Sequence, residues 1–420
     1  MNLFKRNDLE AITTAERRNP GALAILLLAS TLTIMAGAIL SPVVEVIRND
    51  LGVNGTRAGL VLTAHGLAIA VSSPLIGWMI DRWGVRVPLA AGLVLYGVAG
   101  GAGLFTTSYP ALLASRFVFG IGAAAVFSGT TVAMLSLYRG AELDRVMGWR
   151  VTAVSLGGVL WPLLGGALGG LSWHAPFAVY ALGVPIGIAA LLTLPGARAE
   201  GLGRSRSGGM LTLLRRYPAL LGFYGLMLAS GIMLYGLIVF LPQQLAQAGV
   251  EHPVLVSFYT MSVSGAMSLV GLVYVRIRAN LNYSGLLRLS VAPWLLAFLI
   301  LGTTDQPVLL LLAPLLYGIG NGIAFPALTV LIGETPPAEL RGQATALSGT
   351  ATFAGQFLSP LLVGPLIGEL SLHAGFLVLA GFAAVLLLIL LLVKVPAPGA
   401  ERAEPEPTER TGKQTPVSSR

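Results

Sequence analysis

The sequence predicts an all-α membrane protein with twelve transmembrane helices in two pseudo-symmetric six-helix bundles. Three observations predict this fold. Hydrophobic residues make up 55% of the 420 residues and charged residues only 10%, with a mean hydropathy of +0.81, so too little polar surface is available to cover a soluble globule. Apolar runs long enough to cross a bilayer recur along the chain. A residue pattern from the first half returns in the second half.

The apolar runs define the individual helices. A helix needs roughly 20 apolar residues to cross a hydrocarbon core about 30 Å thick, and its backbone polar groups must be paired within the helix. Twelve runs meet this requirement, and an even number places both termini on one side. We predict spans at 21–43, 57–80, 87–107, 109–137, 146–171, 175–195, 218–242, 254–275, 285–303, 307–333, 341–368 and 373–395.

The internal repeat divides these spans into two halves. Residues 171–177, LSWHAPF, return as 370–376, LSLHAGF, and the pair Phe127 and Phe325 keeps nearly the same offset. Because the matches keep chain direction and lie within apolar segments, they predict a duplicated unit. The halves are the bundles 21–195 and 218–395. Many transporters place their binding site between such repeats.

The basic residues predict the orientation in the membrane. All Lys and Arg residues except Arg48, Arg57 and Arg116 fall on the side that also holds both termini. By the positive-inside rule this side is the cytoplasm, so the net charge of +8 reflects topology and anionic lipid headgroups. We therefore expect membrane lipids as partners and no nucleic acid. The charged first residues indicate no cleaved signal peptide.

The polar segments lie outside the bundles. Residues 1–20 are predicted to be a cytoplasmic N-terminal segment. Residues 196–217 are rich in Gly, Ser and Arg and read as a flexible cytoplasmic linker. Residues 396–420 replace apolar residues by Pro, Glu, Thr and Arg, which predicts a disordered cytoplasmic tail, most simply a solvated extension without function.

A short loop follows the second predicted span. Residues 77–86 read GWMIDRWGVR and fit the pattern G-x-x-x-D-R-x-G-x-R. The first glycine lets a neighbouring helix approach, the acid ends the apolar run, the second glycine permits a tight turn, and the arginines hold the loop in the cytoplasm. These positions are Gly77, Asp81, Arg82, Gly84 and Arg86.

This loop resembles the best-known signature of the major facilitator superfamily, in which it latches the two halves on the cytoplasmic side. The resemblance implies that Asp81 faces the N-terminus of the eleventh helix near Leu340 to Gln343, where the helix dipole favours a carboxylate. The corresponding stretch 271–276 has Val275 in place of the acid, so only one latch is expected.

The fourth span carries a buried charge. Residues 116–124, RFVFGIGAA, resemble the second signature of the superfamily. A charge within a span costs about 2.5–3.5 kcal/mol on insertion scales, so Arg116 is expected to face a wet cavity or a partner. Glu45 and His65 are the available partners for charge or proton coupling. The alternatives are that Arg116 is a structural peg and that His65 is a packing residue.

The fifth span resembles the signature of exporters and antiporters within this superfamily, G-x8-G-x3-(G)-P-x2-G-G. Small residues let helices slide closely, and a proline bends the helix. Trp161 stands where the pattern has glycine and is either a stacking wall for ligand or a plug. The matching residues are Gly148, Gly157, Pro162, Gly165 and Gly166.

The resemblance covers all twelve predicted helices and is strongest to bacterial drug:proton antiporters. It implies a central cavity lined by helices one, two, four and five and their counterparts in the second half. Each candidate lining residue can also be simple helix packing. The candidates are Thr33, Met35, Phe127, Trp161, Tyr235, Tyr317, Asn321 and Gln356.

Such a lining lacks a mid-membrane carboxylate, which favours large, mostly apolar, neutral or zwitterionic compounds. The leading hypothesis is therefore a monomeric, proton-coupled exporter of amphipathic small molecules in the bacterial cytoplasmic membrane. It works by alternating access, with Asp81 and Glu45 changing environment.

Other functions remain open. The chain can carry one specific metabolite, lipid or siderophore, with Arg116 holding an anionic group, or it can be a sensor or assembly factor that has lost transport. No nucleophile–base pair stands at catalytic spacing, so an enzyme is not expected. With no cysteine and four histidines, neither a metal site nor another cofactor is expected.

Overall fold

The computed structural model describes residues 20–195, 210–337, 340–393 and 395, and every regular element within them is helical. Most of the predicted N-terminal segment, the first part of the linker and the predicted tail 396–420 lie outside the described residues. The twelve membrane helices are α1 Pro20–Ala38, α2 Gly55–Trp83, α3 Arg86–Gly101, α4 Tyr109–Leu137, α5 Gly140–Gly169, α6 Gly183–Thr193, α7 Ala219–Gln247, α8 Pro253–Asn280, α9 Tyr283–Thr303, α10 Leu312–Glu334, α11 Arg341–Glu369 and α12 Leu372–Leu392.

The predicted fold is confirmed, with two local differences. Eleven helical stretches among the described residues are long and apolar enough to span a membrane, and the sixth, Phe177–Thr193, is shorter. It consists of a single turn, Phe177–Tyr180, followed by α6. The first predicted span also breaks, because the chain leaves α1 at Ala38 and continues through a 3-10 turn, Ser41–Val43, into a short helix, Val44–Asp50.

The internal repeat is visible in the packing of each bundle. In the first bundle, a side chain at Gly122 would collide with the backbone of Tyr96, so α3 and α4 touch at that point. In the second bundle, Gly320 lies in the same way against the backbone of Ser290 and also against the Trp294 indole, which brings α9 and α10 together. Glycine permits these approaches because it has no Cβ atom.

The last helix of each bundle is held by an equivalent arginine. The Arg86 Nε donates to the Leu191 carbonyl oxygen at 2.7 Å, and the Arg288 Nε donates to the Leu390 carbonyl oxygen at 2.8 Å. Each arginine thus ties the start of one outer helix to the last turn of another, α3 to α6 and α9 to α12. The carbonyls in a last helical turn have no partner within the helix, and a cation there also complements the helix dipole.

We name the two ends of the molecule by their loops. The linker face holds the turn at Gly84 and the helix Met210–Arg216, which we call the linker helix. The far face holds the loops 51–54, 170–176 and 248–252. The linker helix buries Leu213, and the following Tyr217 is also buried, so the described end of the predicted flexible linker is helical and packed.

The two bundles touch through α2 with α11 and through α5 with α8, in their far-face halves. The Cβ position of Gly364 lies 3.0 Å from the Thr56 Cβ, and that of Gly66 lies 3.9 Å from the Gln356 Cβ. The Cβ position of Gly158 on α5 lies 2.7 Å from the Ser264 Cβ on α8. A cleft between the bundles is therefore closed towards the far face.

In the linker half the same helices diverge. Among the described residues, no atom outside the same helix lies within 4 Å of a Cβ atom built at Gly77 on α2, Gly148 on α5, Gly271 on α8 or Gly342 on α11. The bundles thus separate towards the linker face, and the cleft opens there.

Candidate functional site

The far end of the cleft is covered by the segment that follows α1. We call residues 40–50 the lid. Val43, Val44 and Ile47 of the lid are buried, and the lid contacts α2, α5, α7 and α8. Gly169 of α5 lies directly against Val43, where any side chain would collide. Opening the cleft at the far face therefore requires the lid to lose its contacts with α7 and α8 of the second bundle.

Glu45 lies on the lid and pairs with Arg48 at 2.8 Å. Arg116 is not its partner in this conformation. Because Arg48 is three residues further along the same short helix, the pair stays within the lid and does not hold it to a neighbouring helix. The expected pairing of Glu45 with Arg116 is therefore not found.

Four of the predicted lining residues are partly accessible at or beside the cleft. The Phe127 ring on α4 is 38% exposed and meets the edge of Phe353 on α11, with ring centroids 5.6 Å apart. The Gln356 amide has no hydrogen-bond partner among the described residues, and it lies where α11 meets Gly66 of α2. The other two are Thr33 and Trp161.

Trp161 ties two helices of the first bundle together. Its indole N–H donates to the Thr31 carbonyl oxygen at 3.0 Å, and its ring also packs against Gly157 of α5. This contact satisfies the buried end of the indole, and the rest of the ring is half-buried beside the cleft. The geometry suits a wall residue held in place by α1.

Met35 and Tyr317 do not line the cleft. Both are fully buried within their own bundles, which contradicts the prediction that they line the cleft. The Tyr317 hydroxyl donates to the Ser230 carbonyl oxygen at 2.7 Å, and its ring stacks on Trp294 at 5.5 Å. Sequence alone does not separate them from the true lining, because aromatic and polar residues also satisfy one another inside a bundle.

Tyr235 and Asn321 are buried in the second bundle, each with 8% of its surface exposed. The Ser230 hydroxyl donates to the Asn321 Oδ1 at 3.1 Å, and the Asn321 amide nitrogen approaches the Met267 sulfur at 3.8 Å. The Tyr235 hydroxyl reaches across to Gly37 of α1 in the first bundle. Tyr235 therefore belongs to the contact between bundles.

Arg116 is enclosed by aromatic rings of its own bundle. Its guanidinium carbon lies 4.5 Å from the ring centroid of Phe119, 5.1 Å from that of Phe177 and 4.9 Å from that of Tyr180. Its Nη2 donates to the Gly100 carbonyl oxygen at the end of α3, at 2.9 Å. Cation–π contacts and the helix terminus stabilise the charge there without an acid.

His65 lies on the other side of one of these rings. Its ring meets Phe119 edge-on at 5.8 Å, its Nδ1 has no partner within the described chain, and the same holds for the Arg116 Nε and Nη1. The structure thus brings Arg116 and His65 to one aromatic cluster inside the first bundle. Neither side chain is accessible from the cleft.

The loop after α2 has the expected turn. Gly84 has a φ of 78°, in the left-handed region that favours glycine, and its N–H bonds to the Ile80 carbonyl oxygen at 2.8 Å. Asp81 is exposed and makes no ion pair or side-chain hydrogen bond with a described residue. Its predicted contact with the start of α11 is absent while the linker face is open.

The corresponding stretch of the second half differs in where its helix ends. Residues 77–82 and 271–276 both lie within helices, but α2 ends at Trp83, whereas α8 continues to Asn280. With Val275 in the acid position as well, the stretch 271–276 has neither the turn directly after it nor the carboxylate of the first half.

The glycines of the helix-five motif make close contacts in the far-face half of α5 but not in its linker half. Gly165 lies against the backbone of Ile39, and Gly166 lies 2.6 Å from the Pro253 carbonyl oxygen, measured from its Cβ position. Gly157 packs against Ile34 and Trp161, whereas Gly148 in the linker half has open space beside it. The far-face glycines make the present contacts, and Gly148 leaves room for another arrangement.

Sequence reasoning missed Phe353, whose ring meets Phe127 of the other bundle. The repeat pairs Phe127 with Phe325 on α10, which is 46% exposed, and so gives no signal for Phe353.

A family model described as Major Facilitator Superfamily matches residues 26–360 and again residues 282–419. The chain belongs to the major facilitator superfamily. Its members are membrane transporters of small molecules, so the chain is a transporter and not an enzyme.

Three curated relatives illustrate what this superfamily member resembles. The bacillibactin exporter of Bacillus subtilis (strain 168) is 24% identical over 389 residues, covering 87% of this chain and 94% of the relative. Putative multidrug resistance protein MdtD of Serratia proteamaculans is 32% identical over 160 residues, 36% of this chain and 32% of the relative. Multidrug resistance protein 1 of Bacillus subtilis is 26% identical over 175 residues, 41% and 44% of the two chains.

Solved structures of other transporters share the fold. The nucleoside transporter NupG superposes with a TM-score of 0.72 at 15% identity, covering 88% of this chain and 98% of that chain. The xylose transporter XylE of E. coli in an inward-open conformation gives a TM-score of 0.72 at 15% identity, covering 91% and 98%. At this identity the likeness shows the superfamily fold alone.

Proposed function

We propose that this transporter exports amphipathic or lipophilic small molecules across the bacterial cytoplasmic membrane by proton-coupled alternating access. The observation that carries the proposal is the cleft, which opens at the linker face, closes at the lid, and presents aromatic rings with isolated amides. Such a surface suits large compounds of low polarity, because it offers few partners for a ligand that needs many hydrogen bonds.

The linker face is the cytoplasmic side in this proposal. Arginines gather there, including Arg82, Arg139 and Arg145, and basic residues favour the cytoplasm. Trp78 and Trp83 are about half exposed at the same level, where tryptophans mark a membrane–water interface. A compound would therefore enter the cleft from the cytoplasm or the adjoining leaflet.

The register between α2 and α11 supports a latch at Asp81. Thr56 lies against Gly364 and Gly66 against Gln356. The two helices therefore run antiparallel, and rising residue numbers on α2 pair with falling residue numbers on α11. Continued to the linker face, this register sets Gly77 opposite Gln343 and Asp81 beside Leu340, at the start of α11. Once the linker face closes, the positive end of that helix would hold the carboxylate.

Proton coupling requires groups whose environment differs between the two states. Asp81 is in water now and would be covered when the linker face closes. Glu45 is partly covered within the lid now and would be released when the far face opens. Arg116 and His65 lie inside the first bundle, where Gly37 of α1 lies against the His65 ring. Their environment would therefore change only through small shifts of α1.

A second candidate is transport of one specific metabolite, lipid or siderophore. It is favoured by the relative named for exporting bacillibactin, which aligns over 94% of its own length, whereas the multidrug relatives align over less than half of theirs. In this case one compound would be exported efficiently and lipophilic drugs would not.

An accumulation assay in bacteria lacking their own efflux pumps tests the proposal. We expect the chain to lower the cellular level of several unrelated lipophilic dyes, and a protonophore to remove the effect. Export of a single compound would favour the second candidate. No effect on any compound, together with no counterflow in proteoliposomes, would refute transport and favour a sensor.

The Asp81→Asn variant tests the latch and the coupling. In proteoliposomes we expect its transport to lose most of the response to a pH gradient, because the amide keeps the shape and removes the charge. Asp144→Asn is the matched control, an exposed carboxylate near the same face, and should behave as the parent. A full pH response in Asp81→Asn would exclude Asp81 from coupling.

A further inference from the structure

An apolar groove runs along the outside of the first bundle, between α3 and α6. It has a volume of about 530 Å³. Small residues form its floor, because α6 approaches α3 so closely at Gly187 that a Cβ atom there would lie 2.9 Å from the Ala90 carbonyl oxygen. The groove is lined by Val87, Ala90, Ala91, Val94, Leu95, Val98, Gly187, Ile188 and Leu191.

The groove has the length of one membrane leaflet. Its α3 residues extend from Val87 to Val98, about 16 Å along a helix that rises 1.5 Å per residue. Half of a hydrocarbon core about 30 Å thick is about 15 Å. A methylene group takes about as much space as a water molecule, roughly 30 Å³, so the volume matches one long acyl chain.

A cation stands at the linker-face end of the groove. Arg86 precedes Val87, and its Nε donates to the carbonyl oxygen of Leu191 at 2.7 Å. Both neighbours line the groove, so the guanidinium is fixed at its mouth. The terminal nitrogens of Arg86 have no acceptor among the described residues and remain available to a ligand.

The mouth also lies at the height of the membrane surface. Trp83 and Trp78 are exposed nearby on α2, and Arg82 lies 5.8 Å from the Trp78 ring. Tryptophan and arginine together are typical of the headgroup level. Arg86 is thus placed to meet a lipid phosphate, whereas Val94 and Val98 face the acyl region.

The repeat supplies a natural comparison. Arg288 is the counterpart of Arg86, but it uses two nitrogens on its own bundle, with the Nε on the Leu390 oxygen and the Nη2 on the Leu391 oxygen. Its neighbours in the chain are large, since Leu289 follows Arg288 and Leu392 follows Leu391, and both leucines are exposed. Among the described residues, Arg86 therefore keeps both terminal nitrogens free beside the small-residue floor, whereas Arg288 keeps only its Nη1 free.

We propose that the α3–α6 groove is a binding site for one anionic phospholipid of the linker-face leaflet. One acyl chain lies in the groove over Ala91, and the phosphate accepts hydrogen bonds from the free nitrogens of Arg86. Such charge-assisted bonds are the strong ones. The site lies on the lipid-facing side, away from the cleft, and is independent of which compound is transported.

Native mass spectrometry of the full chain in detergent tests the proposal, with phosphatidylglycerol and phosphatidylcholine of identical acyl chains as probes. We expect one phosphatidylglycerol to be retained preferentially. Arg86→Gln should lower its occupancy about fivefold, as expected for about 1 kcal/mol per basic residue at a membrane surface. Arg86→Lys should keep most of it.

Filling the groove tests the acyl-chain part separately. Ala91 is exposed on the floor, so Ala91→Leu should reduce retention of phosphatidylglycerol without disturbing the bundle. Ala384→Leu on α12 and Arg288→Gln are the matched controls and should retain the lipid. Equal unfolding temperatures of Ala91→Leu and Ala384→Leu would show that both fold.

Three outcomes would overturn the site. The first is equal retention of the two lipids, and the second is unchanged occupancy in both Arg86→Gln and Ala91→Leu. The third is a dimeric mass that disappears in Ala91→Leu, which would mean that a second copy of the chain covers the groove.

Discussion

At the scale of single residues, the glycines show which helix contacts exist in this conformation and which do not. Gly165 lies against the backbone of Ile39, whereas Gly148 on the same helix has open space beside it. Both belong to the motif that resembles the exporter signature. The motif therefore combines a close contact between α5 and α1 near the far face with a position that makes no contact in this conformation.

Substitution of these two glycines by alanine should separate the roles. Gly165→Ala should destabilise the protein by roughly 1–3 kcal/mol, the usual cost of overpacking, because backbone atoms of α1 must shift. Gly148→Ala should leave the unfolding temperature unchanged, since its Cβ meets nothing. Thermal unfolding in detergent measures both. Equal destabilisation would contradict the assigned contact of Gly165.

Arg116 shows how a residue can be both buried and chargeable. A charge within a span costs about 2.5–3.5 kcal/mol on insertion scales, and here three rings and the Gly100 carbonyl offset that cost. The enclosure removes Arg116 from direct contact with a compound in the cleft. Any part in coupling must act through the aromatic cluster that it shares with His65.

At the scale of elements, the paired arginines explain how the outer helices are held. Arg86 and Arg288 each bond to carbonyls in the last turn of a short or terminal helix. Those carbonyls lack partners within the helix, and lipid offers none. The duplicated contact therefore anchors α6 and α12 at the linker face.

Hydrogen exchange can measure this anchoring. In Arg288→Gln we expect amides in the last turn of α12 to exchange about fivefold faster, because losing a cation at a helix terminus costs about 1 kcal/mol. Arg276→Gln, an exposed arginine at the same face whose side chain has no hydrogen bond to a described residue, is the control. Unchanged exchange in Arg288→Gln would show that the contact does not hold the helix.

The elements were largely predictable from sequence, because an apolar run of sufficient length has one stable form in lipid. The break after Ala38 was not, since the run 21–43 stays apolar throughout. The Phe177–Thr193 stretch likewise gives no sign of its interruption. Hydropathy measures burial in lipid and says little about local bends.

The candidate site was less predictable, because a membrane helix is apolar on every side and its facing cannot be read from composition. Thr33 and Met35 are two residues apart, yet one is partly accessible and the other is fully buried. Tyr317 and Asn321 are one turn apart and join one hydrogen-bonded cluster around Ser230. Only the packing of the neighbouring helices separates such cases.

At the scale of the whole molecule, the two bundles meet along helix pairs whose register continues beyond the present contacts. Gly66 and Gln356 are in contact on α2 and α11, whereas Gly77 has no neighbour within 4 Å among the described residues. Gly77 and Gln343, nearer the linker face on the same helices, would come into contact only if the bundles rock. Both pairs consist of a glycine on α2 and a glutamine on α11. They are therefore matched reporters of the two states.

Disulfide trapping of these pairs tests alternating access directly, since the chain contains no cysteine of its own. The Gly66 and Gln356 Cβ positions are 3.9 Å apart, within the range of about 3.5–4.5 Å that disulfides adopt. We expect Gly66→Cys with Gln356→Cys to cross-link readily, and Gly77→Cys with Gln343→Cys to cross-link only during turnover. Either disulfide should stop transport, and a reductant should restore transport, because each disulfide holds the bundles in one of the two states between which transport must alternate.

Rapid cross-linking of both pairs in the resting protein would contradict an open linker face. Full transport through either cross-linked form would show that the bundles do not rock about this interface.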